Sequence, residues 1–188
     1  TINSENNSVF GFTDLDLILN NMEWSLNKVS NNPSLTINRN SNEFNIKNIS
    51  FLNKDQSIDL NISNFKKQSK YDVSFKDVEL NSFTNKNSSI LFDGKINGKL
   101  FLNQQDEKFS GESNLIISNL MSNNELIGDA SLNLIASEDL KKINIDFFVI
   151  NDFEKKLNLF GDFSIEENYY PLNLTLTSND FKISPFSN

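Results

Sequence analysis

Residues 125–165 read ELIGDASLNLIASEDLKKINIDFFVINDFEKKLNLFGDFSI, and this stretch decides the fold. Apolar residues fall at every second place: Leu132, Leu134 and Ala136; Ile143, Ile145, Phe147 and Val149; Leu157 and Leu159; Phe163 and Ile165. Asn, Ser, Asp and Lys fill the places between. A strand turns successive side chains to opposite faces, so a period of two draws one apolar and one wet face. Three or four consecutive strands joined by short polar turns are expected here. Glu154-Lys155-Lys156 is expected to be one of those turns, as are Asp106-Glu107 and Glu138-Asp139.

The same alternation, more loosely kept, runs through the chain. It predicts strands around Leu35 and Ile37, Phe44 and Ile46, Ile49 and Phe51, Ile58 to Ile62, Tyr71 to Phe75, and Val78 and Leu80. Further strands follow around Ile90 and Phe92, Ile96, Leu100 and Leu102, Leu115 and Ile117, and Leu172 to Leu176, with Pro171 at a strand start where a missing N–H does least harm. That makes about a dozen or more strands with mostly short connections. Residues 10–29 admit a helical rival: Leu15, Leu19, Met22, Leu26 and Val29 have helical spacing, and Thr13 with Asp16 could form a capping box. The strand reading is preferred because its period matches the rest. Residues 1–7 are expected to be a frayed end.

A punctuation recurs. Two alternating apolar residues are followed by a polar residue, then Asn or Asp, then another apolar residue. It occurs as Phe10-Gly11-Phe12-Thr13-Asp14-Leu15, Phe44-Asn45-Ile46-Lys47-Asn48-Ile49 and Leu60-Asn61-Ile62-Ser63-Asn64-Phe65. It returns as Val73-Ser74-Phe75-Lys76-Asp77-Val78 and Leu115-Ile116-Ile117-Ser118-Asn119-Leu120, with a Pro variant at Phe181-Lys182-Ile183-Ser184-Pro185-Phe186. A step of three would put the last apolar residue on the wrong face of a flat strand. A β-bulge absorbs the extra residue, and Asn or Asp suits its unusual dihedrals. Repeated bends of a strongly curved sheet are therefore expected. Their irregular spacing excludes a fixed-length solenoid repeat.

Composition bounds the function. The chain has 188 residues, 37% hydrophobic, with 17 Phe against three Tyr and one Trp. Phe suits a half-buried sheet face. With only six Gly and three Pro, many turns must be made by Asn, Asp and Ser. Net charge is −8, the pI about 4.6 and the mean hydropathy −0.42. This balance argues against nucleic acid and against charge-driven docking on anionic lipid. With no Cys and no His, disulfides, common zinc and iron–sulfur sites and Cys/His or Ser/His catalysis are excluded. The carboxylates, Asp14 with Asp16 and Glu166 near Asn168 among them, form no acid/base frame and read as a solvated face. Gly94 and Gly98, and Gly111, Gly128 and Gly161, read as bulge or close-approach glycines. Asn-x-Ser/Thr triplets at Asn48, Asn61, Asn87 and Asn173 are what an Asn- and Ser-rich chain produces by itself. No enzyme, cofactor or metal is expected. No apolar run approaches the roughly 20 residues of a membrane helix. The start at Thr1 suggests a mature or excised piece, with any targeting segment outside it.

From pattern alone, the apolar face could be hidden in a closed β-sandwich or barrel, which the pattern slightly favours, or could line an elongated trough. The first suits a structural or adhesive surface module. A weaker third reading is a sugar-binding platform of Trp24 and Tyr169-Tyr170.

The segments FNIKNISF (44–51), LNISNF (60–65) and LIISNL (115–120) resemble the AsmA-like superfamily. The ordered series ILFDGKINGKLFLN, SNLIISNLMSNNELIGDASLNLIASED, INIDFFVIND, KLNLFGDFSI and PLNLTLTSNDFKISPF is similar to an internal section of its TamB-like family, Bacteroidetes-type, over residues 10–186. Its most specific parts are residues 92–98 and 126–129. The resemblance implies an all-β fold: an elongated, curved, antiparallel-rich sheet forming a β-taco, a groove with an apolar inner face. It also implies one repetitive section over residues 1–188 without an internal domain boundary. The implied role is a section of an inner-membrane-anchored bridge in the periplasm that conducts phospholipid between the two membranes and supports outer-membrane protein assembly. The implied partners are phospholipid acyl chains and, through regions outside this segment, a TamA-like outer-membrane barrel protein. The residues expected to line the groove are Phe92, Ile96, Leu100, Leu132, Leu134, Ile143, Ile145, Phe147, Val149, Leu157, Leu159, Phe163, Ile165, Leu172, Leu174 and Leu176.

Overall fold

The computed structural model describes residues 7–11, 16–19, 22–27, 33–38, 43–65, 68–83, 91–106, 108–137, 141–164 and 171–181. The alternation becomes strands throughout: β1 (Asn7–Gly11), β2 (Asp16–Leu19), β3 (Met22–Leu26), β4 (Ser34–Asn38), β5 (Glu43–Asn53), β6 (Gln56–Phe65) and β7 (Gln68–Glu79). After a single 3₁₀ turn at Leu80–Ser82 come β8 (Phe92–Gln105), β9 (Lys108–Ser122), β10 (Glu125–Ala136), β11 (Lys142–Asn151), β12 (Glu154–Ser164) and β13 (Leu172–Ser178). The described part of residues 10–29 is β2, β3 and the end of β1, so the helical rival does not form. Asn7 opens β1, and residues 1–6 lie outside the described residues.

All thirteen strands belong to one antiparallel sheet, in the order β1-β4-β5-β6-β7-β8-β9-β10-β11-β12-β13. The order does not return on itself, so the sheet is not a barrel, and no second sheet forms a sandwich with it among the described residues. It is the curved groove. The β2–β3 hairpin leaves this path, with β3 pairing a short part of β5.

Three of the expected bulges are present. The ladder skips between Ile46 and Ile49 on β5, between Phe75 and Val78 on β7, and around Asn119 on β9. Asn48, Asp77 and Asn119 have φ of 60°, 52° and 52°, the left-handed region that Asn and Asp tolerate best. Each skip keeps the following apolar residue on the same face as the preceding one. The fourth, at Asn64, is not a bulge: Asn64 pairs regularly with Phe44 and Ser69 at the end of β6, and Phe65 turns to the opposite, exposed face. Its Nδ2 donates to Ser69 Oγ at 3.0 Å, so a strand-end contact takes the place of a bend. The cases at Asp14 and Ser184 lie outside the described residues.

The Glu154-Lys155-Lys156 turn is also corrected. These residues begin β12, and the turn is Asp152-Phe153, with φ of 52° and 64°. Two consecutive positive φ values match the right-handed twist of the flanking strands and close the hairpin in two residues. Asn123-Asn124, at 48° and 66°, joins β9 to β10 the same way. Asp106 lies in the turn after β8, whereas Glu107 and Glu138-Asp139 fall outside the described residues.

Candidate functional site

Cross-strand register gathers the apolar residues into rows on one face of the sheet. One row runs Ile46, Ile62, Tyr71, Leu102, Gly111, Ala136, Ile143, Phe163, Leu172 from β5 to β13. The next runs Ile49, Leu60, Val73, Leu100, Ser113, Leu134, Ile145, Gly161, Leu174. A third runs Phe51, Ile58, Phe75, Gly98, Leu115, Leu132, Phe147, Leu159, Leu176. A fourth begins at Val78 and continues Ile96, Ile117, Ala130, Val149, Leu157. No charged side chain occurs in any of the four. The opposite face carries Lys99, Glu112, Asn114, Asn133 and Asp146, with Phe101, Ile116, Ile135 and Phe160 scattered among them.

Of the residues expected to line a groove, Ile96, Leu100, Leu132, Leu134, Ile143, Ile145, Phe147, Val149, Leu157, Leu159, Phe163, Leu172, Leu174 and Leu176 lie in these rows. Phe92 shares their face, four residues along β8 from Ile96, and packs on the cluster around Val149. Ile165 lies outside the described residues. The expected lining omits the β5–β7 wall of the same face, Ile46, Leu60, Ile62, Tyr71 and Val73. The alternation marks these residues too, but the intervening bends hide their common orientation.

The groove is tapered. At the bulged ends of the strands it is filled. Ile49, Phe51, Ile58, Val78 and Ile96 are buried in one cluster with Trp24 and Leu26 of β3. Leu120, Ile127, Ala130 and Val149 form a second, and Leu80 and Ile117 pack against both. Away from the bulges the same face opens. Leu132, Leu134, Ile143, Ile145, Leu159 and Phe163 are half-buried, and Leu100 is 38% exposed. Along β13 it is bare: Leu172 and Leu176 are 67% and 62% exposed.

Polar groups fix the bends. At each bulge a side-chain oxygen from the residue opposite accepts the left-handed residue's N–H: Asn61 Oδ1 from Asn48 at 3.0 Å, Asn97 Oδ1 from Asp77 at 2.9 Å, and Asp129 Oδ1 from Asn119 at 2.8 Å. Asn97 Nδ2 donates back to Asp77 Oδ1 at 3.3 Å. The buried Gln56 is satisfied by accepting from Glu79 N at 2.9 Å. Among the described residues, the buried Ser113 Oγ and Trp24 Nε1 on the apolar face have no hydrogen-bond partner. An unpartnered buried donor or acceptor costs about 1–3 kcal/mol.

Glycines allow the closest approaches. Gly98 and Gly161 have φ of 132° and 144°, and a Cβ there would overlap the carbonyl oxygens of Asn114 and Asn173 on the neighbouring strands. Gly128, at 136°, faces Ile150 O in the same way.

Trp24 is wholly buried, so it cannot offer its ring to a sugar, and Tyr169-Tyr170 lies outside the described residues. Among the described residues no group of three or more His, Cys, Asp or Glu is placed to hold a metal ion, and no helix is long and apolar enough to cross a membrane. What the face can do chemically is hold apolar matter without direction. Scans of family models, curated proteins and solved structures find no match to this chain.

Proposed function

We propose that this chain is a section of a TamB-like bridge that conducts phospholipid, its half-open apolar face receiving acyl chains while headgroups stay at the wet rim. The observation that supports this most is the set of uncharged rows crossing the sheet, three of them from β5 to β13, with no second layer over their open part among the described residues. Burial of apolar surface contributes about 0.8 kcal/mol per CH₂. The attraction is non-directional, so a chain held by it can slide. The same reading places the protein in the periplasm, anchored to the inner membrane, with a TamA-like barrel met by regions outside this section, in support of outer-membrane protein assembly. It assigns no catalytic residue.

The double variant Ile145→Glu/Phe147→Glu tests the reading. Both positions are half-buried on the apolar face, Ile145 on its open part and Phe147 at the edge of the cluster around Val149. The variant should keep its sheet by circular dichroism and lose capture of fluorescent phospholipid from vesicles. Loss of fold instead would favour a structural or adhesive module in which these residues are packed core.

A further inference from the structure

We propose that the β2–β3 hairpin is a movable plug of the groove's bulged end, with Trp24 standing where an incoming apolar chain would lie. The inference rests on the reading of the open face as an acyl-chain groove, and it adds a gate to it.

The hairpin is attached unlike the other strands. β5 is shared along one edge: β4 takes the half from Ser34↔Lys47 to Asn38↔Glu43, and β3 takes only Ser25↔Leu52 and Leu26↔Phe51, with the Asn48 bulge between. Among the described residues β2 pairs with β3 alone. Hydrogen bonds from Asn53 Nδ2 to Glu23 O at 2.9 Å and from Asn27 N to Ser50 O at 2.7 Å also join the hairpin to β5 and its turn. The main attachment is apolar. Trp24 is 0% exposed and Leu26 7%, while the alternating Glu23 and Ser25 face water. Leu17, Leu19 and Met22 pack on the same cluster, which extends to Val78 on β7 and Ile96 on β8.

Register puts Trp24 one place beyond the last β3–β5 pair, level with the turn end of β5, where the groove narrows. Its indole N–H has no acceptor there. A tryptophan built into a permanent wall normally finds one. An apolar side chain seated without directional bonds is exchangeable for another apolar group, and a lipid tail is such a group. With the hairpin seated the β5–β8 part of this end is blind, and with it withdrawn that part of the rows opens, while the cluster around Val149 stays packed without it. Local opening of a weakly paired element, below the free energy of global unfolding, is the physical basis of such a gate.

The chain has one Trp and no Cys, which makes the test clean. Ser25→Cys/Leu52→Cys places a disulfide across β3 and β5 on the side away from the groove. In sub-denaturing urea, with the sheet intact by circular dichroism, acrylamide should quench Trp24 severalfold more in the reduced than in the oxidised form. Equal quenching, or exposure of Trp24 only in the global transition, overturns the plug. Native-state hydrogen exchange on the unaltered chain needs no variant to fold: the Ser25 and Asn27 amides, which face β5, should exchange through a smaller opening than the Ile96 amide, and equal protection overturns the plug. Transfer of NBD-labelled phosphatidylethanolamine between phosphatidylethanolamine–phosphatidylglycerol vesicles separates the two ideas. Transfer that stops on oxidation and returns on reduction supports the plug. Equal transfer by both forms sinks the plug and keeps the conduit. Local opening of Trp24 with no lipid bound by either form keeps the plug and sinks the conduit.

Discussion

Asn48, Asp77 and Asn119 each sit left-handed in the middle of a long strand, and each N–H is accepted by the residue opposite. The spacing of the apolar residues announces the bulge. The accepting Asn61, Asn97 and Asp129 can be recognised only once the register is known, because they lie 13, 20 and 10 residues away. The Asn97 pair is partly buried and reciprocal, and the Asn61 one is exposed. Asn97→Ala should therefore lower the urea midpoint by the equivalent of about 1–2 kcal/mol, because it leaves a bulge N–H unpaired away from water. Asn61→Ala should move it distinctly less, since water replaces the lost partner. Glycine is the other determinant at this scale. Gly98→Ala would force a Cβ into the Asn114 carbonyl at φ 132°. It should cost on the order of 1–3 kcal/mol in the same denaturation experiment, and an unchanged midpoint would contradict the close approach.

Among the elements, β10, β11 and β12 are legible in the alternation alone, because period two with polar turns leaves little room for another reading. β5 and β7 are legible only in halves, since a bulge breaks the period and makes one bent strand read as two short ones. Charge misplaces the turn before β12: Glu154 and Lys156 look like loop residues but begin a strand, their ammonium and carboxylate meeting at 2.6 Å. Hydrogen bonding to the Lys156 ammonium, and its charge, hold the Glu154 carboxyl below its usual range, and the bond to Glu154 raises Lys156. The sign follows from linkage. A lowered carboxyl contributes stability above its unfolded pKa that is lost as pH falls through the folded value, and a raised ammonium contributes stability lost as pH rises through its folded value. The pair thus acts between those limits. Lys156→Gln should lie slightly below the parent in thermal stability near neutral pH, with the gap closing in acid and in strong alkali. The pair is exposed, so the gap stays small.

For the whole molecule, the thirteen strands of the described residues make one open sheet whose apolar face is packed at the bulged end and, among those residues, uncovered at the other. That a sheet would form is written in the alternation of residues 125–165. Whether the sheet would close is not, because a sandwich, a barrel and a groove need the same one-sided strands. Nor does the sequence say which pleat face turns inward past each bend. The register settles it, bringing Tyr71, Leu102, Ile143 and Phe163 into one row. The hairpin plug leaves only faint marks in the sequence, since Trp24 in MEWSL reads equally well as an exposed aromatic. The most direct test of the account places a photo-crosslinking amino acid at Ile145, Asp146 or Phe147 in turn and irradiates each protein with phospholipid vesicles. The account predicts phospholipid adducts from 145 and 147 and none from 146, whose side chain lies on the opposite face. Adducts from all three alike, or from none, would contradict it.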